Sequence, residues 1–238
     1  GTDGLRLWVA SIDHGSEAVV SRVLLENIGQ VYRKIRNTCR FLLANLYDFD
    51  SNVDILAADE LLLVDQYALH ELSQFNIKVR AAYDSYELTK VYHLLGDFCA
   101  TNLSSLYLDI IKDRLYTAAA HSKERRSAQT VCYIILDTLI RLCAPILSFM
   151  AEQVSDLYQK NKKKSIHLQN FNFVPDIWEL LARGEVESAR GALFYPYIGG
   201  LQQAQEEVAI KAALVDLNAE WDLILEIRSA ALKAIESL

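Results

Sequence analysis

The sequence contains few residues that interrupt helices, because only 9 of its 238 residues are glycine and only 3 are proline. Such sparse turn signals favour long helices. No apolar run reaches the length of a membrane span, and no signal peptide opens the chain. The chain lacks a starting Met and begins inside an amphipathic pattern. We therefore expect a piece of a longer protein that has no membrane partner.

Paired cysteines and catalytic groupings are also missing. The four cysteines form no Cys-x-x-Cys pair, and each lies in an apolar helical context. They are typical of reduced core cysteines in a cytoplasmic protein, so we expect neither zinc nor a disulfide. The five histidines have no Ser or Cys partner at a suggestive spacing, and no glycine-rich phosphate loop occurs. We therefore predict no catalytic residue and no cofactor in this piece.

The formal net charge of -7 would, taken alone, argue against a nucleic-acid partner, because binding to phosphates needs positive charge. The argument is not decisive, however. A basic stripe on an acidic protein acts locally, since charges are screened beyond about 10 Å at 0.1 M salt.

Such a stripe occurs in QVYRKIRNTCRFLLANL, residues 30–46. Apolar residues recur there at steps of three and four, which predicts a helix with one buried face. Arg33, Arg36, Asn37 and Arg40 recur at the same steps on the opposite face. Guanidinium groups suit phosphate oxygens and base edges. The solvated face of an ordinary bundle helix would give the same pattern.

A second group of cations lies on either side of one short connection. Lys112, Arg114 and Tyr116 close one predicted helix, and Lys123, Arg125 and Arg126 open the next. The two sets should therefore meet at one end of the bundle. Cations at a helix N-terminus oppose the helix dipole, and an anionic partner would offset that cost. For Lys112 and Arg114, at a helix C-terminus, the dipole alone is a sufficient explanation.

The periodicity predicts an all-α fold, an antiparallel helical bundle with a smaller, mostly helical C-terminal appendage. We expect a segment at 1–16 that precedes the bundle, the bundle at 17–160 and the appendage at 161–238. The predicted bundle helices cover about 21–47, 60–83, 86–117 with a bend near 101–105, 123–143 with Ser122 as N-cap, and 147–159. In the appendage, 165–168 is predicted to be extended and 202–236 helical.

Several stretches closely resemble the anticodon-binding domain of bacterial-type isoleucyl-tRNA synthetases. They are VYRKIRNTCRFLLANLYDFD (31–50), SLYLDIIKDRLYT (105–117), RRSAQT (125–130) and APILSFMAEQV (144–154). The opening residues and 221–236 resemble the segments that precede and follow that domain in the family. The resemblance covers nearly the whole chain and is weakest at 171–215.

The resemblance implies that the chain binds the anticodon stem-loop of isoleucine tRNA and positions it for ATP-dependent aminoacylation. The family's His-Ile-Gly-His and Lys-Met-Ser-Lys-Ser motifs and its zinc-binding tail do not occur here. The piece itself should not aminoacylate, whereas the parent, an isoleucine-tRNA ligase, would use ATP, Mg and zinc. In related methionine enzymes an Asn and an Arg at a comparable place read the anticodon, which by analogy points to Asn37 and Arg40.

The predicted tRNA-binding residues are Arg33, Arg36, Asn37, Arg40, Lys112, Arg114, Tyr116, Lys123, Arg125 and Arg126. We expect the chain to be a monomer. The alternative function is an all-helical protein–protein adaptor or scaffold whose basic stripes are solvated. Salt would distinguish the two, because only phosphate binding should weaken steeply as the salt concentration rises.

Overall fold

The computed structural model describes residues 1–13, 15, 20–159, 164–178 and 219–230, and these form helices and turns without any β-strand. Residues 219–230 are helical. The other helices are α1 (Thr2–Ala10), α2 (Arg22–Ala44), α3 (Leu63–Asp84), α4 (Leu88–Asp97), a π-helix (Phe98–Tyr107), α5 (Leu108–Ile110), α6 (Lys112–Thr117), α7 (Lys123–Cys143) and α8 (Ser148–Tyr158), with 3-10 turns at Ala58–Glu60 and Ile166–Leu168. The prediction of an all-α fold is confirmed.

α2 has the two faces that its sequence predicts. Ser21 caps the helix, with its Oγ accepting a hydrogen bond of 3.1 Å from the Leu24 amide. One side packs into the core through Ile28, Ile35, Thr38, Cys39 and Leu42. The helix ends at Ala44, three residues before the predicted end. A buried apolar seam therefore holds the polar face of α2 outward.

α7 is the central helix of the bundle. Of its 21 residues, 16 are buried, and it packs against α2, α3, α6 and α8. A helix that is buried on nearly all sides has to lie inside the other helices. It begins and ends where the sequence predicts, and the Ser122 Oγ accepts a 3.3 Å hydrogen bond from the Arg125 amide.

The predicted third helix is divided into several segments, and residues 101–105, where a bend was expected, lie within the π-helix. The Ser104 Oγ donates to the Cys99 carbonyl at 2.6 Å, and the Ser105 Oγ donates to the Thr101 carbonyl at 2.7 Å. Hydroxyl groups that bond to main-chain carbonyls compete with the regular helical ladder. This competition is the physical basis on which the bend was predicted.

The segment 164–178 packs on the bundle. The prediction of an extended 165–168 is wrong, because the Ser165 Oγ accepts a 3.3 Å hydrogen bond from the His167 amide and starts a 3-10 turn. Farther along, the Ser73 hydroxyl donates to the Val174 carbonyl at 2.9 Å. The helix predicted over 202–236 is present at 219–230. The rest of that prediction lies outside the described residues.

The four cysteines are buried and unpaired. Burial raises the pKa of the Cys39 thiol to about 12, because the thiolate would lose its hydration. Among the residues described, no three His, Cys, Asp or Glu side chains are grouped so that they could hold a metal ion. Nor is any described helix both long and apolar enough to cross a membrane.

Candidate nucleic-acid interface

The outer face of α2 carries a row of free cations. Arg33, Arg36, Asn37 and Arg40 are all exposed, as predicted. Within the described part of the chain, no protein group forms a hydrogen bond or an ion pair with their side chains. We did not predict Lys34, which is also exposed and unpaired there. At about 1.5 Å per residue, the row spans roughly 10 Å.

This α2 stripe, Arg33 to Arg40, brings like charges together. Arg33 and Arg36 are three residues apart, and Arg36 and Arg40 are four apart, so both pairs repel by about 0.2–0.5 kcal/mol. The sequence has no acidic residue between Glu26 and Asp48 that could relieve this repulsion. An anionic ligand would relieve it, and the side chains could meet that ligand without breaking internal bonds.

Arg114, unlike the arginines of the α2 stripe, is paired with an acidic residue of the chain. Two of its nitrogens donate to the two carboxylate oxygens of Asp65, both at 2.9 Å. Burial alone would lower the pKa of Arg114, but the hydrogen bonds and charge of Asp65 outweigh burial and raise it. The geometry thus gives Arg114 a structural role that the sequence did not reveal, and it offers no support for the tRNA contact predicted there.

Arg125 and Arg126 are also buried, and their partners are acidic residues of this chain. Arg125 pairs with Asp48 at 3.0 Å, while Arg126 lies 3.4 Å from Asp54 and 3.8 Å from Asp48. The anion that offsets the dipole cost at the start of α7 is therefore internal. An external anion is therefore not required at this place, and the tRNA contacts of Arg125 and Arg126 stay predictions.

The other three predicted residues lie at the surface of the same end of the bundle. Lys112 is exposed but pairs with Asp109 at 2.9 Å. The side chain of Tyr116 is exposed, and Lys123 is exposed without a bonding partner in the described ranges. Their contribution to binding stays a prediction.

Tyr47 is an exposed residue that we did not predict. It follows the end of α2, between buried Leu46 and Phe49, and is 76% exposed. Its hydroxyl accepts a hydrogen bond of 3.3 Å from Arg125. The exposure of Tyr47 could not be predicted from the sequence, because a tyrosine within LLANLYDF resembles a core residue.

Residues 65–234 match the family described as the anticodon-binding domain of tRNA ligases. The chain belongs to this family. The chain is 42% identical to the isoleucine–tRNA ligase of Desulforamulus reducens and 40% identical to that of Symbiobacterium thermophilum, in each case over 99% of the chain and 22% of the relative. The isoleucine–tRNA ligase of Caldanaerobacter subterraneus subsp. tengcongensis is 51% identical over 65% of the chain and 16% of that relative.

This anticodon-binding domain therefore spans about a fifth of the length of the two relatives that align with 99% of it. The family match begins at Asp65, after α2. The alignments that cover 99% of the chain, however, include α2 and its stripe.

Substitution of a paired arginine should lower the stability of the fold much more than substitution of a free one. Arg114→Ala should lower the free energy of unfolding by about 3–5 kcal/mol, because it leaves the buried Asp65 carboxylate without its counterion. The control Arg36→Ala should change the free energy of unfolding by no more than about 0.5 kcal/mol. Urea denaturation followed by circular dichroism measures both. Equal effects of the two substitutions would contradict the assignment.

Proposed function

We propose that this anticodon-binding domain docks the anticodon stem-loop of isoleucine tRNA and positions that tRNA for aminoacylation by the rest of a longer ligase. The observation that carries the proposal is the α2 stripe of exposed arginines, for which the described residues supply no hydrogen bond or ion pair. The name of the tRNA follows from the relatives, which are isoleucine–tRNA ligases. ATP, Mg and zinc would act in other parts of that cytoplasmic enzyme.

Two kinds of contact are combined on the stripe. The guanidinium groups of Arg33, Arg36 and Arg40 suit phosphate oxygens, which fix the register of the RNA without reading its sequence. Asn37 lies among them and carries one donor and one acceptor group, so it can recognise the edge of an unpaired base. The stripe can thus both hold the RNA and distinguish one anticodon from another.

The position of α2 suits this role. Its buried face is fixed in the core by Ile35, Cys39 and Leu42, which are at most 1% exposed. The Thr38 hydroxyl also lies 3.3 Å from the Ser104 hydroxyl of the π-helix. Because its buried face is packed and hydrogen-bonded in this way, the helix presents its charged groups on a rigid support, so little order has to be gained on binding.

Phosphate binding by the stripe should appear in the dependence of affinity on salt. Arg33→Ala should weaken the binding of every tRNA to a similar extent and lower the salt slope by about one, because one phosphate contact is lost. Filter binding of purified tRNA over a series of salt concentrations measures the slope.

Arg22→Ala is the matched control, because Arg22 is an exposed arginine of the same helix that already pairs with Glu26 at 3.2 Å. Its salt slope should equal that of the unchanged chain. Binding of the unchanged chain that does not respond to salt would contradict the proposal and favour the adaptor function.

Base recognition by Asn37 should appear as a difference between tRNAs. Asn37→Ala should cost about 1–3 kcal/mol of binding free energy for isoleucine tRNA, and much less for a tRNA with another anticodon. Competition binding with the two tRNAs measures this difference, and thermal melts check that the variant stays folded. Equal losses for both would limit Asn37 to a positioning role.

A further inference from the structure

We propose that the ring of Tyr47 stacks on an unpaired base of the bound RNA, at the point where the α2 stripe ends. This inference rests on the proposed function and adds a specific residue and a type of contact to it. It starts from three observations: the exposure of the ring, the support that it receives, and its position relative to the free cations.

The first observation is that a large aromatic side chain is exposed and yet held. Tyr47 is 76% exposed. The guanidinium carbon of Arg125 lies 5.7 Å from the centroid of the ring, and the same guanidinium group donates to the hydroxyl. The ring is therefore supported by a cation on one side while most of its surface stays accessible.

The second observation is that the support itself is fixed. Arg125 is only 10% exposed and pairs with Asp48, the residue after Tyr47. The Gln129 amide donates to the Asp48 carboxylate at 2.7 Å and to the Asn45 carbonyl at 2.9 Å. Residues that precede and follow Tyr47 in the sequence are thus hydrogen-bonded to α7. A ring fixed in advance loses little freedom when a base stacks on it.

The third observation is that Tyr47 extends the stripe. Arg33, Arg36 and Arg40 recur at steps of three and four along α2. Tyr47 follows Arg40 by seven residues and lies in the turn just after α2 ends at Ala44. A positively charged track for the backbone that leads to an aromatic ring is the arrangement that binds single-stranded RNA.

The anticodon loop supplies the matching chemistry. Bases within a double helix are stacked on their neighbours, whereas unpaired loop bases can turn outward and stack on an aromatic side chain. Every base has such a face, so the contact identifies an unpaired base without choosing among the four. It would complement the discrimination proposed for Asn37.

The test uses the 238-residue chain, an RNA hairpin with the anticodon stem and loop of isoleucine tRNA, and a blunt duplex made of the stem alone. Tyr47→Phe keeps the ring and should bind the hairpin like the unchanged chain. Tyr47→Leu should bind it roughly tenfold to a hundredfold more weakly, the effect of losing one base–aromatic stack. Affinity for the duplex should be the same for all three proteins.

Tyr86→Ala is the matched control, because Tyr86 is 83% exposed and follows α3, at the other end of the bundle. It should bind the hairpin normally, and thermal melts should show all variants folded. If Tyr47→Leu binds the hairpin normally, or if Tyr47→Phe is as weak as Tyr47→Leu, stacking is refuted while the proposed function stands. If the unchanged chain binds no hairpin at low salt, the proposed function fails, and the inference fails with it.

Discussion

The structure depends on the buried carboxylate of Asp65, which has no solvent exposure. It accepts hydrogen bonds from Tyr107 of the π-helix, Arg114 of α6 and Ser127 of α7. A charge removed from water is tolerated only when it is paired and hydrogen-bonded, so α3 and these three elements have to meet in one arrangement. The hydrogen bonds of Asp65 thus hold α3, the π-helix, α6 and α7 together at the end of the bundle where α7 begins.

Asp48, in the turn after α2, likewise accepts hydrogen bonds from Arg125 and Gln129 of α7. The carboxylates of Asp65 and Asp48 pair with only some of the arginines of the chain. Arg114, Arg125 and Arg126 pair with these carboxylates, whereas the described residues include no partner for the stripe on α2. The net charge of -7 therefore says little about what the chain binds. What matters is where positive charge stays free, and among the described residues four cations without partners, Arg33, Lys34, Arg36 and Arg40, lie together on α2.

The fold could be predicted where the deciding forces act between neighbours in the sequence. The apolar period of α2 and the Ser122 cap of α7 are of this kind, and both are confirmed. The partners of buried cations are not, because Arg114 reaches Asp65 across 49 residues and Arg125 reaches Asp48 across 77. Basic residues at helix ends look alike in sequence, whether their anion is internal or external. Tyr47 was missed for a different reason, because a tyrosine among apolar residues resembles a core residue in the sequence.

The central claim is that the free arginines of α2, and not the paired arginines, meet the RNA. Chemical modification of arginine with phenylglyoxal, read out by mass spectrometry with and without saturating isoleucine tRNA, tests it directly. Arg33, Arg36 and Arg40 should react in the free protein and be protected in the complex. The paired Arg114, which is partly buried, and the buried Arg126 should react slowly in both. Equal modification of the three α2 arginines with and without tRNA would contradict the account.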